Sequence, residues 1–255
     1  MRNLLKYGFS AAVLFPFAFL LALSFGQNWR FPALFPSVWT PDNWRLLLAS
    51  QSDLGQSLLR SVVVSGTLAF AATGLSFFTA KHIAYHRLRQ RLLTVAYFPY
   101  VFAPVILAAT LQFYFIRLGL AGNMGGVMLA QLFIVYPFGV IFFTGFWNER
   151  MRSMEQLSAT LGGNAWQRFR RVLLPAAKGA LLVCFFQTFL ISWFEYGLTT
   201  LIGVGKVQTL TVKVFQYIGE ANIFYAALSS MLLVLPPLVL LWANKQVLFK
   251  TEPGI

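Results

Sequence analysis

His82 and His86 stand four residues apart, the spacing that puts two imidazoles on one side of a helix and begins many zinc sites. The rest of such a site is missing. Ile83 occupies the place of a protease glutamate, there is no third histidine, and Lys81, Arg87 and Arg89 would repel a cation. The pair therefore reads as part of a solvated basic loop, with no metal. The run "GVGKVQT" (203–209) superficially resembles a phosphate loop. That loop needs glycine at 200 and Ser or Thr at 207, where this chain has Thr200 and Val207. Any ATP chemistry then belongs to another chain. Cys184 is the single cysteine, which excludes an internal disulfide and a cysteine-based cluster. Glu149 and Glu155 are close in sequence, on a polar stretch where a solvated face is the ordinary reading. No nucleophile elbow, redox pair or acid–base cluster appears, so the chain reads as non-catalytic.

One carboxylate stands apart. Glu195 is the single acidic residue inside a long apolar stretch. A charge facing lipid costs ~3 kcal/mol or more, so this side chain must face other helices or water. It either lines a pathway or pairs with a basic side chain. Ser192, Gln187, Tyr136, Gln131 and Gln112 are neutral polar residues in the same kind of surroundings. They are candidates for a pathway or for helix-to-helix hydrogen bonds, which are worth ~0.6 kcal/mol on average.

The elements that must position these residues follow from composition. Of 255 residues, 58% are hydrophobic and only 11% charged, against about 25% charged in a soluble domain. A helix needs roughly 20 apolar residues to cross the hydrocarbon core. Six windows meet that requirement with at most one charge each: 7–25, 61–80, 92–116, 126–147, 179–202 and 223–243. Period-two alternation is absent, which argues against a membrane β-barrel. The expectation is an all-α integral membrane protein with six transmembrane helices in one domain over residues 1–255. Arg2 and Lys6 followed by an apolar run look superficially like a signal peptide. At about 19 residues the run exceeds a signal core of 7–15, so it reads as an uncleaved first helix.

The net charge of +13 is explained by orientation, without nucleic acid. With both termini cytoplasmic, Arg2, Lys6, Lys81, Arg87, Arg89, Arg91, Arg150, Arg152, Arg168, Arg170, Arg171, Lys178, Lys245 and Lys250 are inside. Arg30, Arg45, Arg60, Arg117, Lys206 and Lys213 are on or near the outer side. That puts 14 of the 20 basic residues inside, the bias expected when positive loops resist translocation. The outer segment 26–58 carries Trp29, Trp39 and Trp44, whose rings suit a membrane interface, and turn-forming Pro32, Pro36 and Pro41. A second outer loop covers 203–222. Pro16, Pro99, Pro104, Pro137, Pro236 and Pro237 fall in the apolar windows and predict kinks, because the carbonyls they free need other partners.

The inner segment 148–178 contains "ATLGGNAWQRFRRVLLP" (159–175). On a helix over 164–172, Asn164, Gln167, Arg168 and Arg171 form a polar stripe opposite Ala165, Trp166, Phe169 and Val172. Gly162-Gly163 permits a sharp bend before it, and Pro175 suits the first turn of the next helix. The pattern predicts helix, bend, short transverse helix and re-entry to the membrane. Two readings stay open: an interfacial helix whose arginines face lipid phosphates, or a docking helix anchored by Trp166 and Phe169.

The spacing of Gly162, Val172, Leu174 and Pro175 resembles a loop motif shared by membrane subunits of binding-protein-dependent ABC importers. That motif runs Glu-Ala-Ala, three residues, Gly, nine residues, Ile, one residue, Leu-Pro. Its opening falls on Gln156, Leu157 and Ser158, so this chain departs from it there, with Glu155 one residue out of register. The stretch "WFEYGLTTLIGVGKVQTL" (193–210) is similar to part of the importers for polyamines, ferric iron, thiamine and phosphonates. The resemblance, to the type I importer fold, implies a transmembrane permease subunit in a bacterial cytoplasmic (inner) membrane. Gln156, Leu157, Ser158, Gly162, Gly163, Trp166, Phe169, Arg170, Val172, Leu174 and Pro175 would couple it to a cytoplasmic ATPase. Glu195, Ser192, Gln187, Tyr136 and Gln131 would be its candidates for the translocation path. Implied partners are two ABC ATPase subunits, which hold the ATP and Mg, a second permease different from this one, an extracytoplasmic binding protein and membrane lipid. The chain itself would bind no cofactor. The competing readings are an autonomous channel or ion-coupled carrier, an intramembrane enzyme and a membrane scaffold. A carrier would be expected to show several intramembrane charges where this chain has Glu195 alone.

Overall fold

The computed structural model describes residues 2–28, 36–48, 52–102 and 104–248. Trp29, Arg30, Pro32 and Lys250 lie outside the described residues. Helix α1 (Arg2–Ser24) is followed by a two-strand ribbon, β1 (Gly26–Gln27) and β2 (Val38–Trp39), and by α2 (Asp42–Leu48) and α3 (Asp53–Ala84). Then come α4 (Arg89–Tyr97), a 3-10 turn at Phe98–Tyr100, α5 (Pro104–Arg117), α6 (Met124–Phe146), α7 (Glu149–Thr160) and α8 (Ala165–Arg168). A π turn at Phe169–Leu173 leads into α9 (Leu174–Trp193), followed by α10 (Gly197–Gly203), α11 (Leu210–Gly219) and α12 (Ile223–Leu248).

Among the described residues, five helical runs are long and apolar enough to cross a bilayer: Lys6–Ser24, Asp53–Ala84, Met124–Phe146, Ala165–Trp193 and Ile223–Trp242. At 1.5 Å per residue, α3 is about 48 Å long and exceeds the hydrocarbon thickness by several turns. The window 92–116 is not one helix. It breaks between Tyr97 and Pro104, where Pro99 sits in the first turn of the 3-10 segment and Pro104 opens α5. Each proline lacks the N–H that would continue the preceding ladder. Its second part, Ile106–Arg117, is a shorter apolar helix. The window 179–202 also divides, since α9 ends at Trp193 and α10 begins at Gly197. Pro16, Pro137, Pro236 and Pro237 are held inside helices. Near Pro137, the Ile134 carbonyl of α6 accepts from the Tyr100 hydroxyl at 2.5 Å.

The chain divides into two compact units, residues 1–62 with 208–239 and residues 63–207 with 240–255. In the first, the ribbon pairs Gly26 with Trp39 and Gln27 with Val38. Buried Asn43 donates to the Ser24 and Gly26 carbonyls, each at 3.1 Å, and the Trp44 indole donates to Ser24 Oγ at 3.1 Å. Residues 210–219 are a helix where a loop was expected. Thr209 caps it, and the Ser61 hydroxyl accepts its Leu210 N–H at 2.7 Å. Lys213 of that helix is buried and its ammonium pairs with the Asp53 carboxylate.

The second unit has two apolar clusters. Phe77, Ala80, Phe143, Trp147, Leu173, Ala177 and Cys184 join α3, α6 and α9. Ala108, Phe115, Val127, Ala130, Leu198, Ile202 and Val207 join α5, α6 and α10. Helices α3 and α6 approach closely at Gly139, where a Cβ would lie 2.3 Å from Ser76 Oγ. Small residues at such crossings let backbones meet in the absence of a hydrophobic drive between helices in lipid.

Candidate functional site

Helix α7 starts at Asn148, whose side chain accepts from the Met151 N–H at 3.1 Å. It ends at a sharp bend. Gly162 has φ +82°, a left-handed conformation that favours glycine, and a Cβ on Gly163 would lie 2.7 Å from the Ser158 carbonyl oxygen. The next helix restarts at once through a reciprocal cap: Gln167 N–H donates to Asn164 Oδ1 at 2.8 Å and Asn164 N–H to Gln167 Oε1 at 3.0 Å. The polar residues read as a stripe therefore also serve the cap.

Helix α8 is not separate from the membrane helix that follows it. Residues 165–193 form one helical run, with the π turn inside it. In that turn the Leu174 N–H bonds to the Phe169 carbonyl, five residues back. Pro175 comes directly after. Its ring excludes the ordinary approach to the Arg171 carbonyl, and the widened turn absorbs that misfit.

Along this segment Gln156, Leu157, Gly162, Trp166, Arg170, Leu174 and Pro175 are exposed, while Ser158, Gly163, Phe169 and Val172 are half-buried. Trp166 stacks on Phe169 at 5.9 Å, and Phe169 packs on Phe78 of α3 at 5.8 Å. Between them and α6 lies a cavity of about 500 Å³ lined by Phe77, Phe78, Trp147, Trp166 and Phe169, with Lys81 and Glu155 on its wall. Glu155 does not lie on a freely solvated face: it is half-buried, and its carboxylate pairs with Lys81 at 2.6 Å. Tyr85 donates to the Asn148 carbonyl at 3.2 Å. Burial, helped by the Glu155 and Glu149 carboxylates, pushes the Tyr85 hydroxyl above its usual range against the opposing Arg152 guanidinium. Among the described residues no group of three or more His, Cys, Asp or Glu side chains is placed to hold a metal ion.

Inside the bundle, three of the polar residues singled out in the sequence meet. The Ser192 hydroxyl donates to Gln131 Oε1 at 2.6 Å, and Ser65 Oγ lies 3.1 Å from it on the other side. Gln131 Nε2 donates to Thr199 Oγ1 at 2.9 Å, and the Thr199 hydroxyl donates to Glu195 Oε2 at 2.6 Å. The result is an unbroken chain of side chains from α3 through α9 and α6 to α10. Gln131 is 1% exposed, and Ser65, Ser192 and Thr199 are buried with it. Glu195 is half-buried and caps α10: Oε1 accepts the Leu198 N–H at 2.6 Å and Oε2 the Thr199 N–H at 2.8 Å. The ion pairs among the described residues do not include it. Tyr136 lies apart and bonds to Thr79 at 2.9 Å, and Gln112 donates to the Leu201 carbonyl at 2.9 Å. Gln187 is half-buried outside this chain of side chains.

Ser65, Thr199 and Phe78 were not singled out from the sequence, and Lys81 was read only as part of a solvated basic loop. Thr199 carried a signal, standing four residues after Glu195, within reach on one helical turn. Lys81 and Glu155 are 74 positions apart, and nothing local marks them as partners.

Long apolar helices, three of which (α3, α6 and α9) meet at a buried polar network, define an all-α integral membrane protein. Residues 72–245 match the family described as binding-protein-dependent transport system inner membrane component, and the chain belongs to that family. It is 29% identical over 248 residues to the maltose/maltodextrin transport system permease protein MalG of Escherichia coli (strain K12), covering 87% of this chain and 82% of that one. The protein of the same name from Vibrio parahaemolyticus is 28% identical over 86% of this chain and 81% of its own length. The probable sulfate transport system permease protein cysT of Chlorella vulgaris is 32% identical over 30% of this chain and 29% of its own. These names concern other solutes than those of the importers that residues 193–210 resemble. The chain is a multi-pass inner-membrane protein, the transmembrane permease subunit of an ABC importer. The family is a permease component, not an enzyme.

Proposed function

We propose that this permease works with two cytoplasmic ATPase subunits, a second and different permease chain, and an extracytoplasmic binding protein. ATP and Mg are held by the ATPases and none of it by this chain. The observation that carries the reading is the exposed apolar surface of an otherwise polar segment: Leu157, Leu161 and Trp166 are 63%, 81% and 65% exposed. Together with Phe169, Arg170, Val172, Leu174 and Pro175 they form the surface that meets the ATPase, and the Gly162-Gly163 bend sets its angle. Gln156, Leu157 and Ser158 hold the positions where related subunits carry Glu-Ala-Ala. That difference supports pairing with a second permease that has the fuller motif.

In this reading α4, the 3-10 turn and α5 together make the third of six crossings, both termini are cytoplasmic, and residues 1–255 serve as one permease. Gln131, Ser192 and Glu195 form a brace beside the translocation path, and Tyr136 and Gln187 are the remaining candidates for its lining. Tagging the chain, extracting it in mild detergent and identifying co-purified proteins by mass spectrometry tests the partners. An ATPase and a second permease are expected; recovery of this chain alone, under conditions that keep other importers whole, would leave the channel or carrier reading in front.

Orientation has its own test. The native cysteine Cys184 is buried, so introduced thiols report without background. Ser153→Cys is expected to react with a membrane-impermeant maleimide in inverted vesicles and not in right-side-out ones. Ile218→Cys should show the opposite pattern. Equal labelling of both from one side contradicts the assigned topology.

A further inference from the structure

The end of α3 is tied to α7 by contacts that belong to neither the ATPase-facing surface nor the buried polar network. Lys81 and Glu155 pair at 2.6 Å with side chains only 30% and 19% exposed. The Lys81 ammonium lies 5.3 Å over the Trp147 ring, whose indole N–H donates to the Phe77 carbonyl of α3 at 2.9 Å. One turn further on, Tyr85 reaches the Asn148 carbonyl, the cap residue of α7, and Arg152 stacks over its ring at 5.4 Å. The pair is partly shielded from water, so removing either partner leaves a charge with poorer solvation than at an open surface.

We infer that Lys81 and Glu155 are positioning residues for coupling: they clamp the inner end of α3 to α7, so that a push on the 149–175 segment moves α3 as well as α9. The inference rests on the coupling role proposed for that segment. Its physical basis is the chain's scarce acidic charge. There are seven acidic residues in all. Gln156, at the position where related subunits have the glutamate, is exposed. Glu155, one residue earlier and rotated about 100° around the helix, points back to Lys81 instead. The carboxylate joins two helices of the same chain. Through α7 the segment is fixed to α3, and through the continuous run 165–193 it is fixed to α9, so it acts on two spans at once.

The test is a distance measurement between spin labels at His82→Cys and Ser153→Cys, both exposed positions, in the complex purified with its ATPase. In the otherwise wild-type chain the distance is expected to stay within about 2 Å when Mg-ATP and vanadate are added, because helices in one packed body shift together. Lys81→Met and Glu155→Gln should each broaden the distribution by about 5 Å, the scale of a helix slipping one turn. The exchanged pair Lys81→Glu with Glu155→Lys should narrow it again. A change of that size in the unmodified pair on trapping, or a wild-type distribution in both single variants, overturns the clamp. The single-variant comparison needs no nucleotide. It therefore decides the clamp even in a preparation from which no ATPase was recovered, an outcome that would count against the coupling role separately.

Discussion

Trp166→Ala is expected to lower the affinity of the permease for its ATPase by about 100-fold while leaving the permease folded. The indole is 65% exposed. A tryptophan presents roughly 200 Å², so about 130 Å² of it is free to be covered, worth ~3 kcal/mol at 25 cal/mol per Å². Exposed aromatic anchors are the residues that dominate interface energies, whereas polar rims contribute little. Phe169→Ala is a less clean test, since Phe169 also packs against Phe78 and its loss disturbs the permease itself. The checking measurement is ATPase binding to the detergent-purified permease, read beside its thermal unfolding. An unchanged affinity with an unchanged Tm would show that Trp166 faces lipid headgroups, as an interfacial helix would.

Glu195→Ala should be the most damaging single substitution in the buried network. Its carboxylate accepts two backbone N–H groups at the start of α10 and the Thr199 hydroxyl. Hydrogen bonds to a charged group contribute ~1.5–3 kcal/mol each, and donors left unpaired in a buried site cost more than the mean bond returns. A loss of about 3 kcal/mol is expected, which for a chain of this size lowers Tm by roughly 6 °C or more. Glu195→Gln keeps an acceptor but presents an NH₂ group to one of the two N–H donors, so it should fall between wild type and alanine. The comparison is made by thermal unfolding of the permease in detergent. A Tm within a degree of wild type in Glu195→Ala would show that the α9–α10 break does not depend on this cap, and would return the carboxylate to the list of free pathway groups.

The class of fold was legible because the bilayer imposes one rule on every residue it touches. Each span must be helical, long and apolar, so composition and window length alone gave an all-α membrane protein. The bend at Gly162-Gly163 and the helix restart at Asn164 were readable for a similar reason, since left-handed backbone and helix caps are local properties of a few consecutive residues. The break in the window 92–116 was marked by Pro99 and Pro104, yet apolarity concealed it: a hydropathy window averages over a missing N–H. Other features were not in the sequence at all. Nothing local says that Glu155 turns toward Lys81, that Ser192 meets Gln131, or that Ser65 of α3 joins them. Those outcomes depend on which side chains other helices bring within hydrogen-bonding distance. The sequence by itself determined what kind of solvent the chain lives in and where its backbone must bend. Only the tertiary structure decided which of its few polar groups are free, because a buried group takes whichever partner the packing brings to it.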